Sequence, residues 1–351
     1  MVSLKKLSLK IPQIKRLWDD RISLIQERDR LKDEIRIIKA SFDSNNIKVT
    51  LINNNNDEFP INSIFKDEIL NHEGLECFIR KTDETGVIGS SEVNTYWDGK
   101  FYNPATRPDE NLDPYSDEYV NQQVALYKEI SGREVNQDKN EHTSFDIDAH
   151  INAINPYLHQ LPSSLSVHFL RLSRAMRIAN IPTGSRLLDM GCGWGLSTEF
   201  FRYLGLEVTG LDINPDFVNL VNSRAKRLNT NIVAFQGSFE SIPGDDVYNA
   251  VVYYECLHHA IRPWETLSLV FKRLSPGGKL IFCGEPVNQI WKSWGLRLDP
   301  LSIYCIKKFG WFESGWSPEF ISDCVQKCGF LIDHFADDGG DIGWVMVANR
   351  P

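Results

Sequence analysis

The stretch Leu187-Leu188-Asp189-Met190-Gly191-Cys192-Gly193-Trp194-Gly195 decides how this chain is read. Arg186–Met190 is a short, largely apolar run of strand length. The three alternating glycines after it mark a tight turn, and residues 196–204 then carry a helical pattern. The alternation continues downstream: residues 207–211, 232–236, 247–254 and 279–283 predict strands, and residues 215–228 and 263–274 predict helices. Strands separated by helices of this length build a parallel sheet covered on both faces. The fold class is α/β.

A glycine turn behind a strand serves dinucleotide, flavin and S-adenosylmethionine sites alike. Three neighbouring residues discriminate. The dinucleotide fingerprint wants a small residue at its sixth position, where helix and strand pack closely, and Leu196 stands there. Asp189, just ahead of the turn, would repel a pyrophosphate but suits an ammonium group. Asp212 ends the second strand roughly 20 residues beyond the turn, where a carboxylate accepts both ribose hydroxyls and excludes a 2′-phosphate. The set favours an adenosyl amino acid over NAD.

Further runs fall in order: Val208-Thr209-Gly210-Leu211-Asp212-Ile213-Asn214-Pro215, Gln236-Gly237-Ser238-Phe239-Glu240-Ser241-Ile242-Pro243, Glu255-Cys256-Leu257-His258-His259 and Leu274-Ser275-Pro276-Gly277-Gly278-Lys279-Leu280. With the glycine turn they make residues 160–351 resemble the class I, Rossmann-like methyltransferases that use S-adenosylmethionine. The resemblance implies a seven-stranded sheet whose last strand, over residues 342–348 after 330–335, is antiparallel. It implies that Asp189 and the glycine backbone hold the methionine part, that Asp212 holds the ribose, and that the loop at 237–239 meets the adenine. Cys192, Gly195, Ile213 and Tyr254 complete the implied cofactor set with Gly191, Gly193, Ser238 and Phe239. The chain departs from the family pattern at Ser238, where many relatives carry an acidic residue. A hydroxyl there is a neutral acceptor, so the Phe239 amide carries more of the adenine recognition.

Methyl transfer from a sulfonium is an in-line displacement, and a hydroxyl acceptor must also lose a proton. The mouth of the fourth strand offers Glu255, His258 and His259 as candidate catalytic residues. A histidine titrates near neutrality and is a suitable base; the alternative is that these histidines brace their loop. Glu255 suits anchoring by hydrogen bonds better than proton removal. Residues 285–315, with Trp316 just beyond, carry Trp291, Trp294, Tyr304, Phe309, Trp311 and Phe312. They read either as an acceptor lid over the sheet edge or as a hydrophobic cluster beneath a long loop. The layout is similar to that of bacterial methyltransferases of glycan or polysaccharide synthesis, which makes O-methylation of a saccharide or glycoconjugate the leading expectation. A lipid or small-metabolite acceptor, methylated on oxygen or nitrogen, is the alternative, and a non-catalytic S-adenosylmethionine-binding scaffold is a third.

The rest of the 351 residues divides into an expected coiled-coil helix over 1–42, an α+β accessory region over 43–158 and the methyltransferase region over 159–351. Residues 14–38 carry heptads with Leu17, Leu24, Leu31 and Ile38 at one position, an expected seam for a homo-oligomer or a partner helix. Within the accessory region the apolar run at 75–79 and turn signals at 84–86 and 98–99 suggest short strands. A net charge of -9 opposes the counterion-release attraction of nucleic acid, which is not an expected partner. Residues 1–40 are net basic and residues 107–150 are strongly acidic, a charge pattern that suits an arm-to-body contact between subunits. The seven cysteines have no zinc spacing and suit a reducing cytoplasm; Cys324 and Cys328, four apart, lack further ligands nearby, and no metal is expected. No run is apolar enough to span a membrane.

Overall fold

A computed structural model describes residues 50–52, 58–60, 68–70, 72–142, 144–158 and 161–351. The heptads at 14–38 lie outside the described residues. The chain forms two compact units, Met1–Asp67 and Glu68–Pro351. In the first, β1 (Thr50–Ile52) pairs antiparallel with β2 (Glu58–Pro60).

The second unit opens with β3 (Glu68–Leu70), α1 (Leu75–Thr85), α2 (Ser91–Trp97) and β4 (Lys100–Tyr102), β3 and β4 pairing in parallel. Leu75–Thr85 contains the run expected as a strand. Leu75, Phe78 and Thr82 recur at helical spacing and are all buried, so the period that governs here is that of a helix. α3 (Asp117–Ser131) is capped by Ser116, whose hydroxyl accepts from the Tyr119 amide, and Gly132 ends it in the left-handed conformation. α4 (Gln137–Asn140) and α5 (Ile147–Asn152) follow, α5 being short. The fully buried Arg224 accounts for where it stops, because its guanidinium donates to the carbonyls of His150 (2.7 Å) and Ala153 (3.0 Å) while pairing with Glu199.

α6 (Pro162–Ala179) leads into the alternating body: β5 (Arg186–Met190), α7 (Leu196–Tyr203), β6 (Glu207–Asp212), α8 (Pro215–Arg227), β7 (Val233–Gln236), β8 (Tyr248–Tyr254), α9 (Pro263–Arg273) and β9 (Leu274–Cys283). An insert holds β10 (Trp294–Leu296), α10 (Pro300–Lys308) and β11 (Ser314–Trp316), and α11 (Pro318–Lys327), β12 (Leu331–Asp337) and β13 (Trp344–Asn349) close the chain. Seven strands form one sheet in the order β12-β13-β9-β8-β5-β6-β7. β13 is antiparallel to both neighbours, as expected. The order reverses beside β5, and the carboxyl ends of β5, β6 and β8 open onto one crevice.

One face of the sheet packs on α6, α7 and α8 through Leu172, Phe201 and Val221. The other shares a core with α1, α3, α9, α10 and α11, so residues from 70 onward bury apolar surface with the sheet. The insert belongs to that core. Trp294 and Trp316 face each other across the β10–β11 pair and are almost fully buried with Phe312. Most of the aromatic insert is therefore packing, not a sugar-stacking surface. Among the described residues no helix is long and apolar enough to cross a membrane.

Candidate active site

A cavity of about 1180 Å³ lies in the crevice. Its first wall is the glycine turn and its neighbours: Gly191, Cys192, Gly193, Asp212 and Ile213, with Ser238 and Phe239 from the loop after β7. Gly191 has φ +63°, and a Cβ there would stand 2.9 Å from Cys256 Cβ, so the turn admits no side chain at this position. Asp212 Oδ2 accepts the Gly193 amide at 2.8 Å and Oδ1 accepts the Asn214 amide at 2.9 Å. These bonds fix the carboxylate, yet burial still raises its pKa to about 6.

Asp189 and Gly195 sit behind this wall. Asp189 is fully buried, its Oδ2 accepting from the hydroxyls of Ser197 (2.7 Å) and Thr198 (2.8 Å), and Ser197 lines the cavity. Its Oδ1 has no partner, and burial raises the pKa to about 7. Gly195 makes room for Val221, whose Cγ2 would lie 2.8 Å from an added Cβ. Tyr254 and Glu255 line the cavity: the tyrosine hydroxyl is 2.6 Å from His168 Nδ1, and Glu255 pairs with Arg171.

A second wall of the lining joins His259 and Trp311, both read from the sequence, to Glu141 and Gln137, which sequence reasoning missed. The two candidate histidines part company here. His258 is buried behind the wall, its Nδ1 2.8 Å from Glu285 and its Nε2 3.5 Å from Glu313. Burial opposes its charge, but the two carboxylates prevail and push its pKa up to about 10. His258 is thus enclosed between Glu285 and Glu313 and does not itself line the cavity, the sequence having offered it either as a base or as a brace of its loop. His259 Nδ1 donates to the Phe312 carbonyl at 3.0 Å, leaving the lone pair on Nε2. Burial and the neighbouring His258 charge lower its pKa to about 4, so it is neutral at ordinary pH.

Glu285 organises the turn. Its carboxylate accepts the amides of Cys256 (2.9 Å), Leu257 (3.0 Å) and His258 (3.1 Å) as well as the His258 ring. Glu313, beside Arg297, is held at about 2 because His258, His259 and Arg297 outweigh its burial. Glu141 accepts the Phe312 amide at 3.4 Å, and burial near Glu313 and Asp212 raises it to about 8. The position of Glu285 two residues beyond the fifth strand was a usable signal. Glu141, inside a polar acidic stretch, offered none.

Residues 188–282 match the family model described as "Methyltransferase domain". The sheet order, the glycine turn and Asp212 agree with it. The segment is a class I methyltransferase domain. Such domains depend on S-adenosylmethionine, and this one fits that group: the turn is bare of side chains where an amino acid must approach, a fixed carboxylate faces the cavity from β6, and a buried carboxylate oxygen of Asp189 lacks a partner. The methyltransferase domain is similar to the ubiquinone biosynthesis O-methyltransferase of Erwinia tasmaniensis, 31% identical over 153 residues, covering 40% of this chain and 61% of that protein. The mitochondrial protein of the same name from Schizosaccharomyces pombe is 27% identical over 113 residues, covering 31% and 41%. The chain thus spans less than two thirds of the length of these curated relatives. Among solved structures, a complex of the Haloferax volcanii Trm112 activator with a putative methyltransferase aligns with TM-score 0.45 and 16% identity, over 60% of this chain and 99% of that one.

Proposed function

We propose that the methyltransferase domain moves the methyl group of S-adenosylmethionine to a hydroxyl oxygen of a small metabolite. One observation carries this reading: a single cavity joins the glycine turn and Asp212 to the wall of Glu141, His259 and Trp311. The O-methyltransferase names of the relatives support an oxygen acceptor on a metabolite. The burial of Trp294, Trp316 and Phe312 leaves these rings no face for an acceptor, and the saccharide expectation rested on the layout of the chain alone.

The cofactor supplies an electrophilic methyl group on a positively charged sulfur, which departs as a neutral thioether when the acceptor oxygen displaces it. The chain aligns and desolvates. Asp212 accepts the ribose hydroxyls, Ser238 and the Phe239 amide meet the adenine, and Asp189 acts through Ser197, which it holds at the head of α7. Removal of the acceptor proton falls to the wall of Glu141 and His259, both on the cavity surface. Trp311, whose indole N–H is buried without a partner, walls the acceptor space.

The test is incubation with methyl-deuterated S-adenosylmethionine and parallel panels of hydroxylated small metabolites and saccharides, read by mass spectrometry. Label in the metabolite panel supports the reading. Label confined to saccharides would reinstate the other acceptor class.

A further inference from the structure

We infer that His258, His259 and Glu313 bind a divalent first-row metal ion on the acceptor wall. The inference rests on the reading of this cavity as one that takes a hydroxyl acceptor. One ligand atom from each of the three residues lies within 4.8 Å of the other two. His258 Nε2 and Glu313 Oε2 are 3.5 Å apart. That is long for a hydrogen bond between charged groups. Ligands about 2.1 Å from a shared tetrahedral ion stand about 3.4 Å from each other, so the gap matches a ligand edge.

The outer shell points the same way. Metal-bound histidines hold their other ring nitrogen to a carboxylate or a carbonyl, which fixes tautomer and ring direction. His258 Nδ1 is on Glu285 and His259 Nδ1 is on the Phe312 carbonyl. Both Nε2 atoms are therefore the ones left to ligate. The backbone of the pair is pinned as well: Ser314 Oγ donates to the His258 carbonyl at 2.6 Å and Gln137 Nε2 to the His259 carbonyl at 2.7 Å. Glu313 is steered by Arg297, 3.6 Å away.

Two imidazoles and one carboxylate suit zinc, iron, cobalt or manganese better than calcium or magnesium. Three protein ligands leave a position open, and His259 places the site on the cavity surface. An ion there would polarise an acceptor hydroxyl and lower its pKa, and Glu141 would take the proton as the oxygen displaces the sulfur from the methyl carbon. The carboxylates of Glu285 and Glu313 can alternatively be balanced by a proton on His258, and the experiment separates the two.

The full chain is stripped with a chelator, dialysed, and titrated by calorimetry with Zn²⁺ or Mn²⁺, with metal content measured by elemental analysis. Cobalt substitution reports coordination through its visible absorption. About one ion per chain is expected, with Glu313→Gln and His259→Ala each weakening it about a hundredfold or more, and Glu285→Gln about ten- to a hundredfold. Cofactor affinity, measured on the same stripped protein, is expected to persist while methyl transfer falls and returns with metal. A stripped protein that binds S-adenosylmethionine, transfers methyl at the original rate and takes up no ion overturns the metal site and leaves the methyltransferase reading intact. Metal binding without cofactor binding does the reverse. Should a variant fail to fold, the cobalt spectrum of the unaltered chain decides: bands of the free aqua ion alone overturn the site.

Discussion

Around one cavity, the wall from Gly191 to Phe239 is largely backbone set by local turns, whereas the wall of Glu141, His259 and Trp311 consists of side chains brought from segments far apart in the chain. The first wall is cheap to build and easy to read: its shape follows from glycines and one capped carboxylate, each within a contiguous motif. The second depends on buried charges whose partners come from the ends of β8 and β9 and from the insert. Binding of the cofactor and stability of the acceptor wall should therefore respond to different substitutions.

The largest effect is expected at His258→Ala. Removing the ring leaves Glu285 and Glu313 buried without their shared partner, which costs about 3–5 kcal/mol. Denaturant unfolding reads this directly; a loss below about 1 kcal/mol would mean that the acceptor wall is not held by buried charge. Next, Asp212→Ala should weaken S-adenosylmethionine about a hundredfold or more in calorimetry, since two charge-assisted bonds to the ribose are each worth about 1.5–3 kcal/mol, with a smaller stability loss of about 1–3 kcal/mol from the unpaired Gly193 and Asn214 amides. Equal affinity in this variant would dissolve the distinction between the walls.

A pH titration gives a smaller effect. Asp212 at about 6 must be ionised to accept the ribose, so cofactor affinity should fall roughly tenfold as pH drops from 7.5 to 5. Stability of the cofactor-free protein runs the other way. Asp189 and Asp212 have folded-state pKa values of about 7 and about 6, above the ordinary value of 3.8. The folded state thus holds extra protons between these limits, and the stability they permit is full below about pH 4 and lost as pH rises through about 6 to 7. Thermal unfolding with and without cofactor checks both signs. The smallest effect is expected at Trp311→Ala, which should raise the acceptor KM several-fold with cofactor affinity unchanged; an equal loss of both would join the two walls into one.

The same contrast explains what could be read without coordinates. The β5 turn, Asp212 and the loop at Ser238 are legible because each function lies within a few residues of its motif. The helix over Leu75–Thr85 was missed because a five-residue apolar window cannot tell a strand from a helix. His258 and His259 are adjacent in sequence yet differ in exposure, one enclosed by Glu285 and Glu313, the other also reaching the cavity surface. That divergence depends on where the insert places Glu313, which no local pattern encodes. The insert's aromatics look alike in sequence, but the register pairing Trp294 with Trp316 buries both and leaves Trp311 on the cavity.

At the mouth of β8, Glu255 holds a left-handed backbone (φ +53°) and presses on Gly284, where an added Cβ would come within 2.5 Å of Glu255 Cγ. A non-glycine residue in this conformation stores about 1–3 kcal/mol. Glycine at 255 would release that strain, whereas Gly284 is itself left-handed (φ +75°) and is held to glycine whatever stands at 255. Keeping the carboxylate that pairs with Arg171 retains the strain at 255, so selection for stability alone would trade this ion pair for an easier backbone.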